Sequence, residues 1–275
     1  MNYEEAINFQ YGKKDIAGIL FSKFREEKIE TLEKIQNVLT PIQELHLRGR
    51  GVTLELAKGA GINEDVRVLD VGCGIGGSAR VLASEFGCKV TGLDLCEEFC
   101  RTAEIINKKI GLSEKIEIRQ GNALHMPFDD EFYDVVIVQH VLMNIKEKND
   151  LLSQINRVLR PKGRLAINTI CEGTVIPIYY PVIWANDPDI SFLLKVNNLR
   201  KLINNCGFKE LSWKDDTKNV IEGIDRIRAK PRPNEPRPIR LGMIVEDSST
   251  KWKNMVKNLK EGRIFVIQGI FEKKK

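Results

Sequence analysis

The chain has 275 residues, of which 42% are hydrophobic and 29% charged, with 21 glycines and 10 prolines. These values are ordinary for a folded protein, and they exclude collagen, a long coiled coil and a largely disordered chain. A chain of this length buries roughly 70 to 75% of the surface of its unfolded state, so it needs no disulfide framework. Its six cysteines form no CxxC pair, and with only three histidines we expect no dedicated metal site.

The formal net charge of +5 is unevenly distributed along the chain. Residues 172–275 carry 20 basic and 13 acidic side chains. Such an excess can attract an anionic ligand or nucleic acid, but scattered surface lysines explain most of it. The sequence shows neither an apolar run of 18 residues nor a secretory signal, and free thiols suit a reducing compartment. We therefore expect a cytoplasmic protein that does not enter membranes.

The first half of the sequence predicts a regular alternation of elements. Apolar residues at helical spacing predict one or two amphipathic helices over 15–39 and another helix over 53–60. A short buried strand over 66–71 precedes a glycine cluster. The elements that follow are helix 78–85, strand 89–94, helix 97–110, strand 116–120, strand 135–139, helix 147–159 and strand 164–169. Strands that alternate with helices in this way indicate a parallel, doubly wound α/β sheet.

The pattern becomes less regular after residue 171. Residues 173–192 are rich in proline and aromatic residues and too apolar for a solvated linker, so we expect them to cover another part of the molecule. The elements predicted beyond them are helix 196–205, strand 208–213, helix 221–228, helix 249–259 and strand 263–271. Four prolines between residues 230 and 240 indicate an extended loop.

A glycine-rich turn follows the first predicted strand of the sheet. Gly72, Gly74 and Gly77 form a GxGxxG pattern between that strand and a helix, where backbone amides can approach a polar ligand. Asp94 ends the next strand, where its carboxylate can accept hydrogen bonds from both ribose hydroxyls of an adenosine group. Because both features occur in one βαβ unit, they indicate an adenosine cofactor.

Asp70 helps to decide which adenosine cofactor the sequence predicts. It lies just before the glycine turn, so its carboxylate would face the diphosphate of a nicotinamide dinucleotide with a charge of the same sign. The same carboxylate suits a ligand that carries an ammonium and a sulfonium group. We therefore expect S-adenosyl-L-methionine, with a dehydrogenase as a minor alternative.

Four segments of the sequence resemble the class I S-adenosylmethionine-dependent methyltransferases. They are, in the order that the family has them, VLDVGCGIGG (68–77), VTGLDL (90–95), GNALHMPFDDEFYDVVIVQHVLMNI (121–145) and RVLRPKGRLAI (157–167). The resemblance implies a Rossmann-like α/β sheet of seven strands whose last strand, 263–271, is antiparallel to its neighbours. It also implies an N-terminal helical lid over 1–52 and a core over 53–275, with substrate-capping inserts near 172–196 and 217–262.

The resemblance implies binding roles for residues at the ends of the first two strands. Asp70, Gly72 and Gly74 match positions that hold the methionine end of S-adenosyl-L-methionine. Asp94 matches the residue that binds the ribose. Leu95, next to it, would lie against the adenine ring.

Three further residues match cofactor-binding positions after the third and fourth strands. Asn122 and Ala123 correspond to a loop whose side chain and backbone amide meet the adenine ring. Gln139 corresponds to the residue beneath the sulfonium. For Asn122 the alternative is an ordinary turn residue.

The expected substrate side resembles small-molecule N-methyltransferases that act on glycine, sarcosine, dimethylglycine or phosphoethanolamine. The features behind this narrower resemblance are weaker: an N-terminal Tyr-Gly at 11–12, QELHLRG over 43–49, QHVLMNI over 139–145 and a long insert after the fifth strand. In such enzymes the N-terminal segment folds over the cofactor. Tyr11 is therefore implied as a catalytic lid residue near the methyl group, with ordinary helix packing as the alternative.

Two of the three histidines, His46 and His140, fall in segments that should converge on the catalytic cleft. His140 is the candidate general base or substrate-orienting residue, because an imidazole near its reference pKa can accept a proton at neutral pH. The alternative for His140 is a backbone hydrogen bond at the strand end. His46 is a further catalytic candidate, and its alternative role is to orient its own segment.

Other residues of the sequence could contact a substrate. An aromatic group in the insert could cap the pocket, cage an ammonium group or form ordinary core; its members are Tyr179, Tyr180, Trp184 and Phe192. Guanidinium groups could bind a carboxylate or phosphate; the candidates are Arg48, Arg50, Arg237 and Arg240.

These observations favour an enzyme that transfers a methyl group to a small molecule. The preferred acceptor is the amine nitrogen of a zwitterionic or cationic metabolite. Methylation of an oxygen, sulfur or carbon atom is the nearest alternative. An RNA-modifying methyltransferase and a cofactor-binding module without turnover are further alternatives. We expect a small-molecule substrate rather than a nucleic acid, and a monomer or homodimer is equally compatible with the sequence.

Overall fold

A sheet of seven strands forms the centre of the computed structural model. The model describes residues 15–26, 28–29, 34–35, 38–39, 42, 46–229 and 239–274. The strands are β1 (Arg67–Val71), β2 (Lys89–Asp94), β3 (Ile116–Gln120), β4 (Tyr133–Gln139), β5 (Leu159–Glu172), β6 (Phe208–Asp215) and β7 (Ile264–Lys273). Their order across the sheet is β3-β2-β1-β4-β5-β7-β6.

The strand directions confirm the predicted architecture. Strands β1 to β5 pair in parallel, whereas β7 is antiparallel to both β5 and β6, between which it lies. The order reverses at β1, whose neighbours are β2 and β4. In a doubly wound sheet, ligands bind in the crevice outside the carboxyl ends of the strands at such a reversal. The fold therefore places a binding site after β1, β2 and β4.

Helices cover both faces of the sheet. The helices of the described residues are α1 (Ile16–Glu26), α2 (Arg50–Gly59), α3 (Gly77–Phe86), α4 (Glu97–Lys109), α5 (Lys148–Val158), α6 (Val196–Asn205), α7 (Thr217–Ala229) and α8 (Ser248–Lys260). One hydrophobic core joins the sheet to α2, α3 and α4, and a second joins it to α5 and α6. Because both faces of the central strand β4 are buried, this strand is a nearly continuous apolar run.

Several strands are longer than the sequence predicts, among them β5 and β6. β5 begins at Leu159 and includes Pro161 and Gly163, residues that interrupt an apolar pattern and so conceal the strand. Its other end continues to Glu172, which pairs with Ile264 of β7. β6 was predicted to end at Trp213 but continues to Asp215, and its last polar side chains face solvent. Pairing with a long neighbour, rather than local propensity, extends these strands.

The first described helix, α1, packs against the core helix α4. Its buried residues share a hydrophobic cluster with residues of α4, and Glu98 of α4 accepts hydrogen bonds from the backbone amides of Ile16 and Ala17 at 2.7 and 3.2 Å. A carboxylate at this position satisfies amides that have no partner within the helix. The division into a lid over 1–52 and a core over 53–275 remains a prediction, because most residues before 46 lie outside the described part of the chain.

An ion cluster around Asp216 ties the segment before α2 to the sheet. The side chain of Asp216 is fully buried, and it accepts hydrogen bonds from Arg48 at 2.5 Å and Lys214 at 2.7 Å. Gln268 of β7 and Asn219 of α7 donate to the same carboxylate at 2.8 and 2.7 Å. Burial alone would raise the pKa of Asp216, but the hydrogen bonds from its partners outweigh burial and lower the pKa below 3.8. Asp216 is therefore ionised at neutral pH and supports the fold.

We expect Asp216→Asn to lower the free energy of unfolding at pH 7 by about 3 kcal/mol, the usual cost of removing one partner from a buried ion pair. Because the folded state lowers the pKa of Asp216, its contribution is complete above pH 3.8 and is lost as the pH falls through the folded pKa. The difference in urea-unfolding free energy between wild type and variant should therefore be larger at pH 7 than at pH 3. The exposed neighbour Asp215 provides the control: Asp215→Asn should have a small effect at both pH values.

Candidate active site

The glycine turn after β1 is built from backbone conformations that favour glycine. Gly72 and Gly74 have φ angles of +73° and +54°. A Cβ atom on Gly72 would lie 2.2 Å from a methyl carbon of Val141, so the loop after β4 approaches this turn closely. A Cβ atom on Gly74 would meet no atom within 4 Å, because this part of the turn faces open space. The turn therefore forms a cradle with an open side at the start of α3.

The carboxylate of Asp94 is fixed at the end of β2. Its Oδ2 accepts a hydrogen bond from the Gly74 amide at 2.8 Å, and its Oδ1 accepts one from the Cys96 amide at 2.9 Å. Burial raises the pKa of Asp94, and the hydrogen bonds from backbone amides partly oppose this effect. Each carboxylate oxygen has two acceptor positions, so both oxygens can bind a further donor. Asp94 thus joins the two ends of the βαβ unit and still presents acceptors to a ligand.

A cavity of about 1240 Å³, including the part that opens to solvent, lies at the carboxyl ends of the central strands. It contains nearly all of the binding and catalytic candidates that the sequence predicts. Those that line it are His46, Asp70, Gly72, Gly74, Asp94, Leu95, Asn122, Ala123, Gln139 and His140. Segments as much as 94 positions apart in the chain therefore meet at one site, as the topology of a doubly wound sheet requires.

Polar side chains form a hydrogen-bonded group beneath the centre of the cavity. Gln139 at the end of β4 donates to Ser78 Oγ at 2.9 Å and to Thr53 Oγ1 at 3.2 Å. His46 Nε2 lies 3.3 Å from Ser78 Oγ and 3.4 Å from Thr53 Oγ1. These contacts fix the amide of Gln139 and one edge of the His46 ring. The group joins α2, α3 and β4 at the floor of the cavity.

His140 stands beside this group in an unusual backbone conformation. Its φ angle is +54°, in the left-handed region, and its amide donates to the carbonyl oxygen of Asn168 at 2.7 Å. The Nε2 atom of its ring is enclosed and has no hydrogen-bond partner among the described residues. Burial, together with the charge of nearby His46, lowers the pKa of His140 well below 6.5. The ring is therefore neutral at physiological pH and can accept a hydrogen bond or a proton.

The two histidines belong to one part of the cavity. The ring centroids of His46 and His140 are 6.0 Å apart, and the ring planes are inclined at 53°. The third histidine, His125, is exposed and does not line the cavity. The rings of His46 and His140 therefore border one space next to the glycine turn.

The insert after β5 closes the other side of this space. Trp184 is buried and lines the cavity, and its Nε1 donates to Ser191 Oγ at 2.9 Å. Ile183 lies beside it, and Met255 of α8 contributes a further apolar side chain. The insert was expected to cover another part of the molecule, and in the structure it forms one wall of the cavity.

Several candidates lie elsewhere or outside the described residues. The other three aromatic residues of the insert do not line the cavity; Tyr179, for example, stacks under Lys257 and Arg263. Arg48 binds Asp216, as described above. Two other arginine candidates also lie away from the cavity. Arg50 pairs with a glutamate of α3, and Arg240 is not among the lining residues.

Two predicted positions cannot be placed. Tyr11, the candidate catalytic lid residue, and Arg237 lie outside the residues that the structure describes. The role of Tyr11 at the methyl group therefore stays a prediction.

Some residues of the site are absent from the sequence-based prediction. Thr53, which contacts Gln139 from behind the cavity lining, was hidden because it lies on the buried face of α2 between apolar residues, where a hydroxyl normally gives no functional signal. Ser78 directly follows the glycine turn, a position that could have indicated a ligand contact. Ile183 and Met255 are brought to the cavity only by tertiary packing, whereas Asn144 belongs to the segment that follows His140.

The asparagine predicted to meet the adenine lines the cavity and also stabilises its own turn. Asn122 lines the cavity, and its Oδ1 also accepts a hydrogen bond from the Leu124 amide at 2.8 Å. The cofactor-binding and turn interpretations of Asn122 are therefore compatible.

A doubly wound sheet with an antiparallel seventh strand, a glycine turn after β1 and an acidic residue at the end of β2 together define the class I methyltransferase architecture. Comparison with known proteins agrees: residues 69–167 match the family model described as "Methyltransferase domain". Over these residues the chain is thus similar to a methyltransferase domain, and the fold and relatives support class I, the S-adenosylmethionine-dependent type. The matched region extends from β1 into β5 and includes most of the cavity.

Curated relatives share this region but differ in what they methylate. The chain is 29% identical over 173 residues to a sarcosine/dimethylglycine N-methyltransferase of Halorhodospira halochloris, which covers 61% of this chain and 60% of the relative. It is 40% identical over 108 residues to the sterol 24-C-methyltransferase ERG6B of Gibberella zeae, which covers 39% of this chain and 28% of the relative. In both cases the chain spans less than two thirds of the relative's length.

A solved structure shows the same fold. Phosphoethanolamine N-methyltransferase 2 of Haemonchus contortus, in complex with S-adenosyl-L-methionine, superposes with a TM-score of 0.68 and 19% sequence identity. The match covers 92% of this chain and 59% of that one. At this identity the likeness establishes the fold alone.

Proposed function

We propose that this protein binds S-adenosyl-L-methionine in the cavity and transfers its methyl group to a small molecule, with an amine nitrogen as the acceptor. The observation that carries the proposal is the arrangement of Asp70 and Asp94 around the glycine turn, in one cavity at the reversal of the strand order. The matching family model and the N-methyltransferases among the relatives support it.

The residues at the cavity fit the chemical groups of this cofactor. Asp94 offers carboxylate acceptors to two ribose hydroxyls, and Asp70 offers a negative charge to the ammonium and sulfonium groups. Leu95, Asn122 and Ala123 border the space expected for the adenine ring. The open side of the turn at Gly74 leaves room for a ligand to approach the backbone. A diphosphate in the same place would face two carboxylates.

The bound cofactor supplies an activated methyl group, and the protein's own residues align and shield the acceptor. Catalysis of methyl transfer mainly requires an aligned nucleophile about 3 to 3.5 Å from the methyl carbon and exclusion of water. Gln139 and its partners form the floor of the site, and Trp184 forms a wall. His140 Nε2 accepts the proton that the nitrogen loses, and His46 orients the acceptor from the opposite side.

A transfer assay with a labelled methyl group tests the proposed function. The full chain is incubated with radiolabelled S-adenosyl-L-methionine and with separate pools of small amines, thiols, phenols and carboxylates. We expect label to appear in a product of an amine pool and S-adenosylhomocysteine to form in equal amount. Transfer to oxygen, sulfur or carbon only would keep the methyltransferase but contradict the amine acceptor. Absence of cofactor binding would contradict the whole proposal.

Within the described residues, no helix has the length and apolar character needed to cross a membrane. The same residues contain no group of three or more side chains that could hold a metal ion.

A further inference from the structure

The part of the cavity next to the two histidines has an apolar wall. The side chains that form it, beside the imidazole rings, are Val141, Met143, Ile145, Ile183, Trp184 and Met255. We call this part of the cavity the acceptor chamber. Its combination of an indole and two thioethers suits a flat aromatic ring, because sulfur and aromatic rings make favourable contacts.

The wall of the acceptor chamber is held in place by hydrogen bonds between the insert and the segment after β4. Asn144 Nδ2 donates to the carbonyl oxygen of Trp184 at 2.8 Å, and the Phe192 amide donates to the carbonyl oxygen of Met143 at 2.8 Å. Lys148, a buried residue of α5, donates from Nζ to the carbonyl oxygens of Ile145 and Phe192, the former at 2.5 Å. These contacts connect the two segments at several points. The chamber is thus preformed, as binding pockets for small molecules usually are.

The side-chain hydrogen-bond donors of the wall already have partners within the protein. The indole Nε1 of Trp184 donates to Ser191, so the indole presents its carbon surface to the chamber. Lys148 directs its ammonium group at carbonyl oxygens of the wall and is not a lining residue. The wall therefore offers packing rather than charge to an acceptor.

The charges around the cavity do not favour an anionic acceptor. Among the described lining residues other than the histidines, the ionisable acidic and basic side chains are Asp70 and Asp94, both of which the proposed function assigns to the cofactor. A carboxylate or phosphate in the acceptor chamber would therefore meet no lysine or arginine among the described lining residues. Burying a charge without an opposite charge costs several kcal/mol.

The basicity of His140 places a second limit on the acceptor. Burial and the charge of His46 make its imidazole a weaker base than a free histidine. A weak base cannot readily remove a proton from an alkylammonium ion, whereas it can accept one from the much more acidic cation that an aromatic amine forms on methylation. An acceptor that enters with an uncharged nitrogen therefore matches the residue available to take its proton.

From the apolar wall and the charges of the cavity we infer that the acceptor is an uncharged aromatic amine, whose nitrogen is bonded to the aromatic ring and carries a hydrogen, with neither a carboxylate nor a phosphate. This inference rests on the proposed function. The nitrogen lone pair forms the new N–C bond as the S–CH₃ bond breaks, and the bonding electron pair remains on sulfur. The N–H proton of the methylated cation leaves to His140 Nε2. The inference replaces the zwitterionic or cationic metabolite that the sequence favours.

Competing acceptors test this inference. The full chain is assayed with labelled S-adenosyl-L-methionine and either indoline, sarcosine or phosphoethanolamine. We expect kcat/KM for indoline to exceed that for each charged acceptor by at least about 100-fold, which corresponds to roughly 3 kcal/mol. A larger kcat/KM for sarcosine or phosphoethanolamine would overturn the inference and leave the proposed function intact. Failure to methylate any of the three while the cofactor binds would also overturn it, whereas failure to bind the cofactor would overturn the proposed function.

A cation placed in the acceptor chamber provides a second test. Ile183 is only half-buried, so Ile183→Arg can be accommodated at the rim of the chamber. We expect it to lower kcat/KM for indoline at least about tenfold and to raise that for sarcosine, since a guanidinium group binds carboxylates. Ile178→Arg, a half-buried position of the same insert that does not line the cavity, is the control and should leave both values near those of wild type.

Thermal unfolding and S-adenosyl-L-methionine affinity are measured for both variants to establish that each is folded. A folded Ile183→Arg protein with an unchanged ratio between the two acceptors would contradict the position of the acceptor chamber.

Discussion

Replacement of Asp94 by alanine is expected to weaken the binding of S-adenosyl-L-methionine by about 100-fold, the equivalent of roughly 3 kcal/mol. The carboxylate is proposed to accept both ribose hydroxyls, and two charge-assisted hydrogen bonds are lost with it. It also holds the glycine turn through the Gly74 amide at 2.8 Å, so its removal loosens the cradle. Isothermal titration calorimetry of the wild type and the variant measures the effect directly.

The control for this variant is a buried acid near the amino end of the central strand β4, away from the cavity at the carboxyl ends. Asp134 accepts a hydrogen bond from the Arg67 amide at 2.7 Å and pairs with Arg160, so it also holds backbone in place. Asp134→Ala should lower the thermal stability but leave the cofactor affinity within about threefold of wild type. Equal affinity losses in the two variants would mean that Asp94 acts through stability, and near-normal binding by Asp94→Ala would contradict its assignment.

Replacement of His140 by asparagine is expected to lower kcat by at least about 100-fold, because general base catalysis commonly contributes two to four orders of magnitude. Asparagine is preferred to alanine here because it tolerates the left-handed backbone with φ of +54°. The affinity for S-adenosyl-L-methionine should change little, since His140 is assigned to the acceptor side. Steady-state kinetics with a saturating acceptor, together with calorimetry, separate these two effects.

The pH dependence provides an independent check on His140. Its pKa lies well below 6.5, so the ring is neutral across the physiological range and becomes protonated only in more acidic solution. The wild-type kcat should therefore be constant near neutrality and decline on the acidic side, and His140→Asn should lack that decline. His125→Asn, a change in the exposed third histidine, should behave like wild type. A normal kcat and an unaltered profile for His140→Asn would exclude the residue as the base.

Much of the fold could be predicted because the parallel sheet has strong local signals. The buried strands β1, β2 and β4 are apolar runs next to glycine or acidic residues, and their order along the chain is typical of the family. The antiparallel strand β7 was predicted from the resemblance and is confirmed. The residues on the proposed cofactor side of the cavity could be predicted for the same reason, because Asp70 and Asp94 lie near the ends of recognisable strands.

The acceptor side could not be predicted to the same extent. Trp184 and Met255 are far apart in the chain and show no motif, and only packing of the insert and α8 brings them together. The aromatic residues of the insert looked equivalent in the sequence, yet the structure directs Trp184 at the cavity and Tyr179 at a stack of basic side chains. Arg48 looked like a substrate clamp, but its guanidinium group binds a buried aspartate that lies 168 positions away in the chain.

A crystal structure of the protein soaked with S-adenosyl-L-methionine tests the central claim most directly. The account predicts density in the cavity with the ribose hydroxyls on the Asp94 carboxylate, the methionine end beside Asp70, and the methyl group directed toward the space between His46 and His140. Density for the ligand at another place, or a cavity that stays empty at saturating ligand, would contradict it.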